Sequence, residues 1–407
     1  MRIAFLLTQS LDSPSGLGRF GPLAGELARL GHQVSIFALN PYPSMEPPVN
    51  HLEGAYIKYV GPMHVIKRGN NKVYYPTHKL LAVILKATWG LGSAALNTTA
   101  DVIYVCKAQP MNGLAGISAC YLRGKYLCVD CDDYEAASGN FSSRWQSSII
   151  TFFEKQIPRY ARLVTTNTHF MKNKLVEWGV PANRIMYLPN GVDPTRFQYP
   201  EPEKLETLRI RLDLMDKQVV AYIGSLSLAS HPIELLLTAF DQLHAKIPNS
   251  VLLLVGGGES LDILEQKVNL LSLSEHVRFT GRVLPEDVSL YYHLAHVTVD
   301  PVYEDEVAQS RSPLKLFESW AAGVPFVSAD VGDRQYLLGQ PSAGMLARPG
   351  DPTSLAECLI TILQNPALST ELKQRGLDRV RQFTFRELGG QLASAFEQIL
   401  VSHNINK

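Results

Sequence analysis

The sequence predicts an α/β protein made of two open parallel-sheet domains in tandem. Short apolar runs rich in Val and Ile alternate with helix-length stretches along nearly the whole chain. The alternation is interrupted once, by a polar, acidic stretch after Pro189-Asn190-Gly191-Val192-Asp193 that runs to Asp216, and then restarts. That stretch is the best linker candidate. Open sheets of this kind bind ligands beyond the carboxyl ends of their strands, so a cleft between the two domains is the expected site.

The elements follow in order. In the first half Ile3–Leu7 reads as a strand, Gly21–Leu30 as a helix stopped by Gly31, and Val34–Leu39 as the next strand. Thr77–Leu91 is helical, Val102–Cys106 and Tyr126–Val129 are strands, Phe141–Tyr160 is a helix, and Leu163–Thr166 and Ile185–Leu188 are strands. In the second half the strands are Val219–Ile223, Val251–Val255, Val277–Thr280 and Val297–Val299, with helices at Pro232–Ala245, Ser260–Leu271 and Pro285–Leu294. Helices near Pro352–Leu363 and Ser369–Phe383 and a last one over Leu388–Leu400 complete the chain.

Composition narrows the class. Hydrophobic residues make up 46% of the 407 and charged residues 19%, which describes a core-forming globular protein. Formal net charge is zero, so no global field draws in nucleic acid. The five cysteines are an odd number, and Cys128-Val-Asp-Cys131 continues an apolar strand instead of opening a helix, so buried free thiols in a reducing compartment are expected. The start lacks a secretory pattern and no run reads as a membrane span, so the expected location is cytoplasmic, with contact at a membrane surface left open.

Three segments at strand ends carry phosphate-type signals. Ser13-Pro14-Ser15-Gly16-Leu17-Gly18 follows the first strand and precedes a helix, and Val255-Gly256-Gly257-Gly258-Glu259 does the same in the second half. The third is Ser310 to Val327. Ser312 and Pro313 read as a helix start, Leu314, Phe317 and Ala321 give one apolar face, and Gly323 with Pro325 ends the helix before a strand over Val324–Ser328. Lys315 then stands near the positive end of the helix dipole, an unfavourable arrangement unless it points into solvent or an anion belongs there.

Two more features bear on partners. Asp130-Cys131-Asp132-Asp133-Tyr134 follows a strand and carries paired carboxylates, and Lys107 ends the neighbouring strand. Trp145, Ile149, Phe152, Phe153, Ile157 and Tyr160 form an apolar stripe on the Phe141–Tyr160 helix, read as core in preference to a membrane-facing surface. His64, Lys67, Arg68, Lys72 and Lys79 make a basic patch that keeps a lipid-linked or anionic acceptor open.

The ordered set of motifs resembles the family-four retaining glycosyltransferases of the GT-B fold over nearly the whole chain. The residues that carry the likeness are Gly16–Gly18 followed by Leu-Ala-Arg-Leu-Gly-His-Gln-Val (27–34), Leu188-Pro189-Asn190-Gly191-Val192-Asp193 with Phe197, Val255–Gly258, Phe279-Thr280-Gly281-Arg282-Val283, Phe317-Glu318 through Val327, and Arg348-Pro349-Gly350-Asp351. The resemblance implies two Rossmann-like domains facing across a cleft. These are an acceptor-side domain over 1–200, onto which a last helix near 385–407 packs back, and a nucleotide-sugar domain over 201–384.

It also implies roles. Glu318 would accept hydrogen bonds from the two vicinal hydroxyls of the nucleotide ribose. The helix start Ser312, Pro313, Leu314, Lys315 and Leu316 would receive the diphosphate, with Gly257 nearby; Gly281, Arg282 and Val283 would lie against the base; Gly16 and Gly18 would close on the phosphates. Asp132 or Asp133 would contact the acceptor hydroxyl, with Lys107 on the same rim, although cap or loop roles stay open for these three and no metal site is expected. The chain departs from the family pattern at Ser310, where the first of two glutamates belongs, and at Ser225 and His231, where the phosphate cations belong. Lys315 and Arg311 are the substitutes, Lys315 being an unpaired cation waiting for phosphate.

The implied reaction is transfer of a sugar, with retention, from a UDP- or GDP-linked donor to a hydroxyl of a sugar, lipid-linked or small-molecule acceptor, without a cofactor. In the family's usual account the leaving phosphate assists deprotonation of the acceptor on the same face, and the protein supplies positioning and charge. A sugar-nucleotide epimerase of the same fold and a non-catalytic nucleotide-sugar-binding protein are the alternatives.

Overall fold

The computed structural model describes residues 1–404 other than 12, 14, 43–50, 53, 69, 70 and 139–143. The contacts divide the chain into two units. One is Met1–Gly191 with Ser310–Ser312 and Phe385–Lys407; the other is Val192–Gln309 with Pro313–Thr384.

The first unit holds an eight-stranded sheet. Its spatial order is Ile185–Tyr187, Leu163–Thr166, Tyr126–Cys131, Val102–Cys106, Arg2–Leu7, Gln33–Asn40, Ala55–Pro62 and His51–Leu52. Every pairing is parallel except the last. Val65–Arg68 and Asn71–Tyr74 form a separate antiparallel ribbon. The chain runs outward from the central strand Arg2–Leu7 to one edge, then returns to Val102–Cys106 and runs to the other, so the switch point lies between those two strands. Both faces are buried, which is why the strands read as continuous apolar runs. Ala4, Leu6, Ile103 and Val105 pack under the helices Thr77–Asn97 and Pro110–Arg123. Ile3, Phe5, Leu7 and Tyr104 pack under Gly21–Arg29 and the last helix, Phe385–Asn404, where the Tyr104 and Phe396 rings stand 5.4 Å apart.

The second unit has six parallel strands in the order Val277–Phe279, Ser250–Val255, Gln218–Ile223, Val297–Asp300, Phe326–Ala329, Met345–Ala347. This is the doubly wound order, and its switch point lies between Gln218–Ile223 and Val297–Asp300. Val220, Tyr222, Leu252 and Leu254 face the helices Ile233–Lys246 and Pro352–Gln364; Ala221, Leu253 and Val255 face Leu316, Phe317 and Trp320. Asp351 caps the Pro352–Gln364 helix, accepting from the amides of Thr353 at 2.9 Å and Ser354 at 3.1 Å.

Several expectations change. The polar stretch to Asp216 is no linker: it contains the helix Pro202–Arg211, whose Leu205 and Leu208 are buried while its charges face out. Helices at Pro110–Arg123 and His169–Glu177 were not expected. Cys128 and Cys131, three apart on one strand, fall in the cores on opposite faces of the sheet; all five cysteines are free. The expected helix over Phe141–Tyr160 is described from Arg144, residues 141–143 lying outside the described residues, and ends in a 3₁₀ turn at Ile157–Tyr160. Its stripe is core only in part: Phe153 packs against the buried cluster that holds Ile157. Ile157 is buried, but Trp145, Ile149, Phe152 and Tyr160 are exposed. The Thr77–Asn97 helix is, contrary to expectation, long and apolar enough to cross a membrane by length and composition.

Candidate active site

Each unit gathers polar side chains at its own switch point. In the second unit the strand Val297–Asp300 ends in a buried carboxylate, Asp300. Lys315 Nζ donates to Asp300 Oδ1 at 3.1 Å, and Arg334 Nη2 to Asp300 Oδ2 at 3.2 Å. Burial by itself would raise the Asp300 pKa; the two cations outweigh it and hold the carboxyl at about 2. Lys315 Nζ also lies 5.1 Å from the centre of the Tyr222 ring. The expectation of an unpaired cation at this helix start is therefore corrected. Lys315 is ion-paired, because the helix Leu314–Ala321 crosses the end of a strand that carries an acid.

The lysine needs Gly224 beneath it: a Cβ there would come within 2.7 Å of Lys315 Cε. Ser225, beside it, is exposed, and its carbonyl accepts from Tyr222 Oη at 2.9 Å. The His231 ring stands edge-on to Tyr222 with centres 6.1 Å apart. One turn after Lys315, Glu318 Oε2 accepts from Tyr292 Oη at 2.7 Å, and burial raises its pKa.

The second glycine-rich segment has a structural cause. A Cβ on Gly256 would sit 1.9 Å from Gly224 O, so the two strand ends can meet only if it is glycine. Gly256 N donates to Gly281 O at 3.1 Å. This brings Gly257, Gly281, Arg282 and Val283 together, with Arg282 exposed and Val283 half-buried.

Ser310, Arg311 and Ser312 belong by contact to the first unit. Ser310 Oγ accepts from Tyr134 N, and Ser312 Oγ from Asn190 N, both at 3.2 Å. Ser312 therefore does not cap the helix: Pro313 is the residue before it, with no side-chain cap. Leu316 is buried, and its amide donates to Pro313 O at 3.1 Å, which leaves Leu314 and Lys315 as the helix-start amides.

In the first unit Gly16 opens one turn of π-helix, Gly16–Phe20, that also contains Gly18 and places Arg19; Pro14 lies outside the described residues. A Cβ at Gly16 would lie 2.3 Å from Leu11 O, so the tight turn accounts for that glycine. Arg19 and Asp130 are both buried and paired bidentately, at 2.7 and 3.1 Å. Arg19 also donates to the carbonyls of Leu188 and Pro189 and to Asn190 Oδ1, while Tyr104 and Thr165 hydroxyls donate to Asp130. The sequence did not single out Arg19, Asp300 or Arg334. The signal available for Asp300 was an acid closing an otherwise apolar strand.

Lys107 stands at the other side of the first unit's switch point with a left-handed backbone, φ 69°. Its ammonium donates to Asp133 Oδ2 and Glu135 Oε1, each at 2.7 Å, and lies 3.6 Å from Asp132 Oδ1. Asp132, Asp133 and Glu135 are close enough to surround a metal ion, and the lysine already supplies a cation there. The two aspartates differ. Asp132 Oδ1 is buried and accepts no hydrogen bond, and burial raises its pKa. Asp133 is pulled the other way against burial, by Lys107 and Arg311. Buried Glu154, its pKa raised to about 7 by burial, accepts from the amides of Glu135 and Ala136 and so braces this loop.

Comparison with known proteins agrees with this architecture. Residues 22–196 match the model described as Glycosyltransferase Family 4, and residues 217–365 that described as Glycosyl transferases group 1. Over 242 residues the chain is 24% identical to the GDP-mannose-dependent alpha-(1-6)-phosphatidylinositol monomannoside mannosyltransferase of Mycolicibacterium smegmatis, a match covering 59% of this chain and 63% of that protein. It is 24% identical over 426 residues to D-inositol 3-phosphate glycosyltransferase 1 of Catenulispora acidiphila, covering 97% and 94%. Among solved structures, HepE of Anabaena in complex with UDP and glucose superposes with a TM-score of 0.72 at 18% identity, over 98% of this chain and 100% of that one, a likeness of fold. The two parallel-sheet units are those of the GT-B fold, and the chain belongs to the family-four, group 1 glycosyltransferases.

Proposed function

We propose that the protein is a retaining glycosyltransferase that moves a sugar from a UDP- or GDP-linked donor to a hydroxyl acceptor. The observation that carries this reading is the cation cluster at the second unit's switch point. Lys315, Arg334 and Asp300 leave one net positive charge at the first amides of a helix, beside a carboxylate held by Tyr292. A diphosphate fits the first feature and a ribose the second. Lys315 reaches the phosphates by exchanging its bond to Asp300, which Arg334 keeps neutralised. Glu318 keeps one oxygen on Tyr292 and offers the other to the ribose.

On the acceptor side Asp132 is the better of the two aspartates, since its Oδ1 accepts no hydrogen bond while Asp133 is held by Lys107. The acceptor we favour carries a polyol hydroxyl on a lipid, in keeping with the inositol compounds named for the relatives. On this reading the protein works at the cytoplasmic face of a membrane.

The test is incubation with a panel of UDP- and GDP-sugars and inositol-containing acceptors. Released nucleoside diphosphate and a new glycoside with the donor's anomeric configuration support the reading. An epimerised donor without glycoside points to the epimerase alternative, and binding without turnover to a non-catalytic protein.

A further inference from the structure

We infer that the outward faces of the helices Thr77–Asn97, Pro110–Arg123 and Arg144–Gln156 form one surface that lies on an anionic lipid bilayer. The three helices cover the same face of the first unit's sheet, the second packing against both others. Each turns large apolar side chains away from that sheet. On the first, Leu81, Leu85 and Trp89 recur every fourth residue, and Trp89 is 80% exposed. On the third, Trp145, Ile149 and Phe152 follow helical spacing, with Trp145 and Phe152 each 58% exposed. The second adds Tyr121 and Leu122 at its carboxyl end. Scattered apolar residues on a surface need no cause, but large exposed apolar side chains gathered on three adjacent helices over one sheet face do.

Charge selects the occupant. The exposed ionised groups on these helices are Lys79, Lys86, Arg123 and Arg144. Among the described residues of the three helices the single acid is Glu154, which is buried and engaged with the amides of Glu135 and Ala136. An apolar face fringed by cations and free of exposed acid matches the boundary of an anionic bilayer, where cations meet headgroups and Trp and Leu meet acyl chains. The side chains of Lys67, Arg68 and Lys72 lie outside the described residues.

The surface lies on the membrane and does not span it. Ala87, Leu91 and Ala95 on the opposite side of the first helix are buried in the sheet's core. A Cβ on Gly90 would sit 1.9 Å from Val60 O, so the helix backbone rests directly on the strand Ala55–Pro62. A helix held that closely keeps one face in protein and has only the other to offer to lipid.

The inference extends the proposed lipid-linked acceptor, yet it is read without donor or acceptor, so the two fail separately. The full chain is sedimented with vesicles of phosphatidylcholine alone and of phosphatidylcholine mixed with phosphatidylglycerol. Partitioning about tenfold or more in favour of the anionic vesicles, weakened by salt, is expected. Leu85→Ser with Trp89→Ser should reduce it about tenfold, and Trp145→Ser with Phe152→Ser should do the same, with unchanged melting temperatures because the replaced side chains face outward. Equal partitioning of the folded variants and the unaltered chain would overturn the inference, as would no preference for anionic lipid. So would a self-association, measured by sedimentation velocity, that the same substitutions abolish, since the face would then bind a second copy.

Discussion

Lys315 Nζ lies 3.1 Å from Asp300 Oδ1, joining the second residue of a helix to the last residue of a strand 15 positions earlier. The pair is shared with Arg334, so the carboxylate has two cations and the group as a whole stays positive. This arrangement reverses what the helix dipole alone would imply for removing the lysine.

Lys315→Ala should destabilise the ligand-free protein by about 2 kcal/mol, less than a fully uncompensated buried charge because Arg334 remains on Asp300. It should weaken nucleoside diphosphates at least tenfold and leave the bare nucleoside unaffected. Urea melts and calorimetric titrations check both halves. Equal loss for the two ligands would make Lys315 purely structural.

Stability should fall in acid with Asp300. Its folded pKa of about 2 lies below the unfolded value, so its contribution is complete above about pH 4 and is lost as the pH falls toward 2. The loss amounts to about 2 kcal/mol. Asp300→Asn should flatten that part of the pH profile, and a variant profile superimposable on the parent's would reject the assignment.

Glu318→Ala should abolish donor binding and also strand the Tyr292 hydroxyl, costing about 1–3 kcal/mol of stability. Pairing it with Tyr292→Phe should recover part of that stability without restoring binding. Donor affinity that survives in a folded Glu318→Ala protein would remove Glu318 from the site.

Transfer should persist in EDTA, since Lys107 supplies the cation among Asp132, Asp133 and Glu135. Lys107→Met should leave those acids uncompensated, lower the melting temperature, and create a site at which manganese restores stability. Activity lost in chelator and regained with manganese in the unaltered protein would show that a metal is required.

Arg19→Lys should cost about 3 kcal/mol, because a lysine cannot make the bidentate contact to Asp130 together with the bonds to Leu188, Pro189 and Asn190. Thermal denaturation against Arg19→Lys/Asp130→Asn measures the coupling, and additive effects would mean that the two residues act apart.

By itself the sequence determined what depends on neighbours along the chain. The apolar runs that are buried on both faces marked the strands, Gly323 marked the end of a helix, and the ordered motifs marked the family. Tertiary structure decided the partners. Asp130 meets Arg19 from 111 positions away, and Ser312 turns its hydroxyl to Asn190 and not to its own helix, because sheet order and helix crossing place those groups side by side. It also decided which side of an amphipathic helix meets the core. Spacing placed Trp145, Ile149, Phe152, Phe153, Ile157 and Tyr160 on one side, but which part of such a side meets the sheet is set by packing: here Phe153, Glu154 and Ile157 turn inward while Trp145, Ile149, Phe152 and Tyr160 face out. Periodicity fixes which residues share a face; only packing fixes what the face touches.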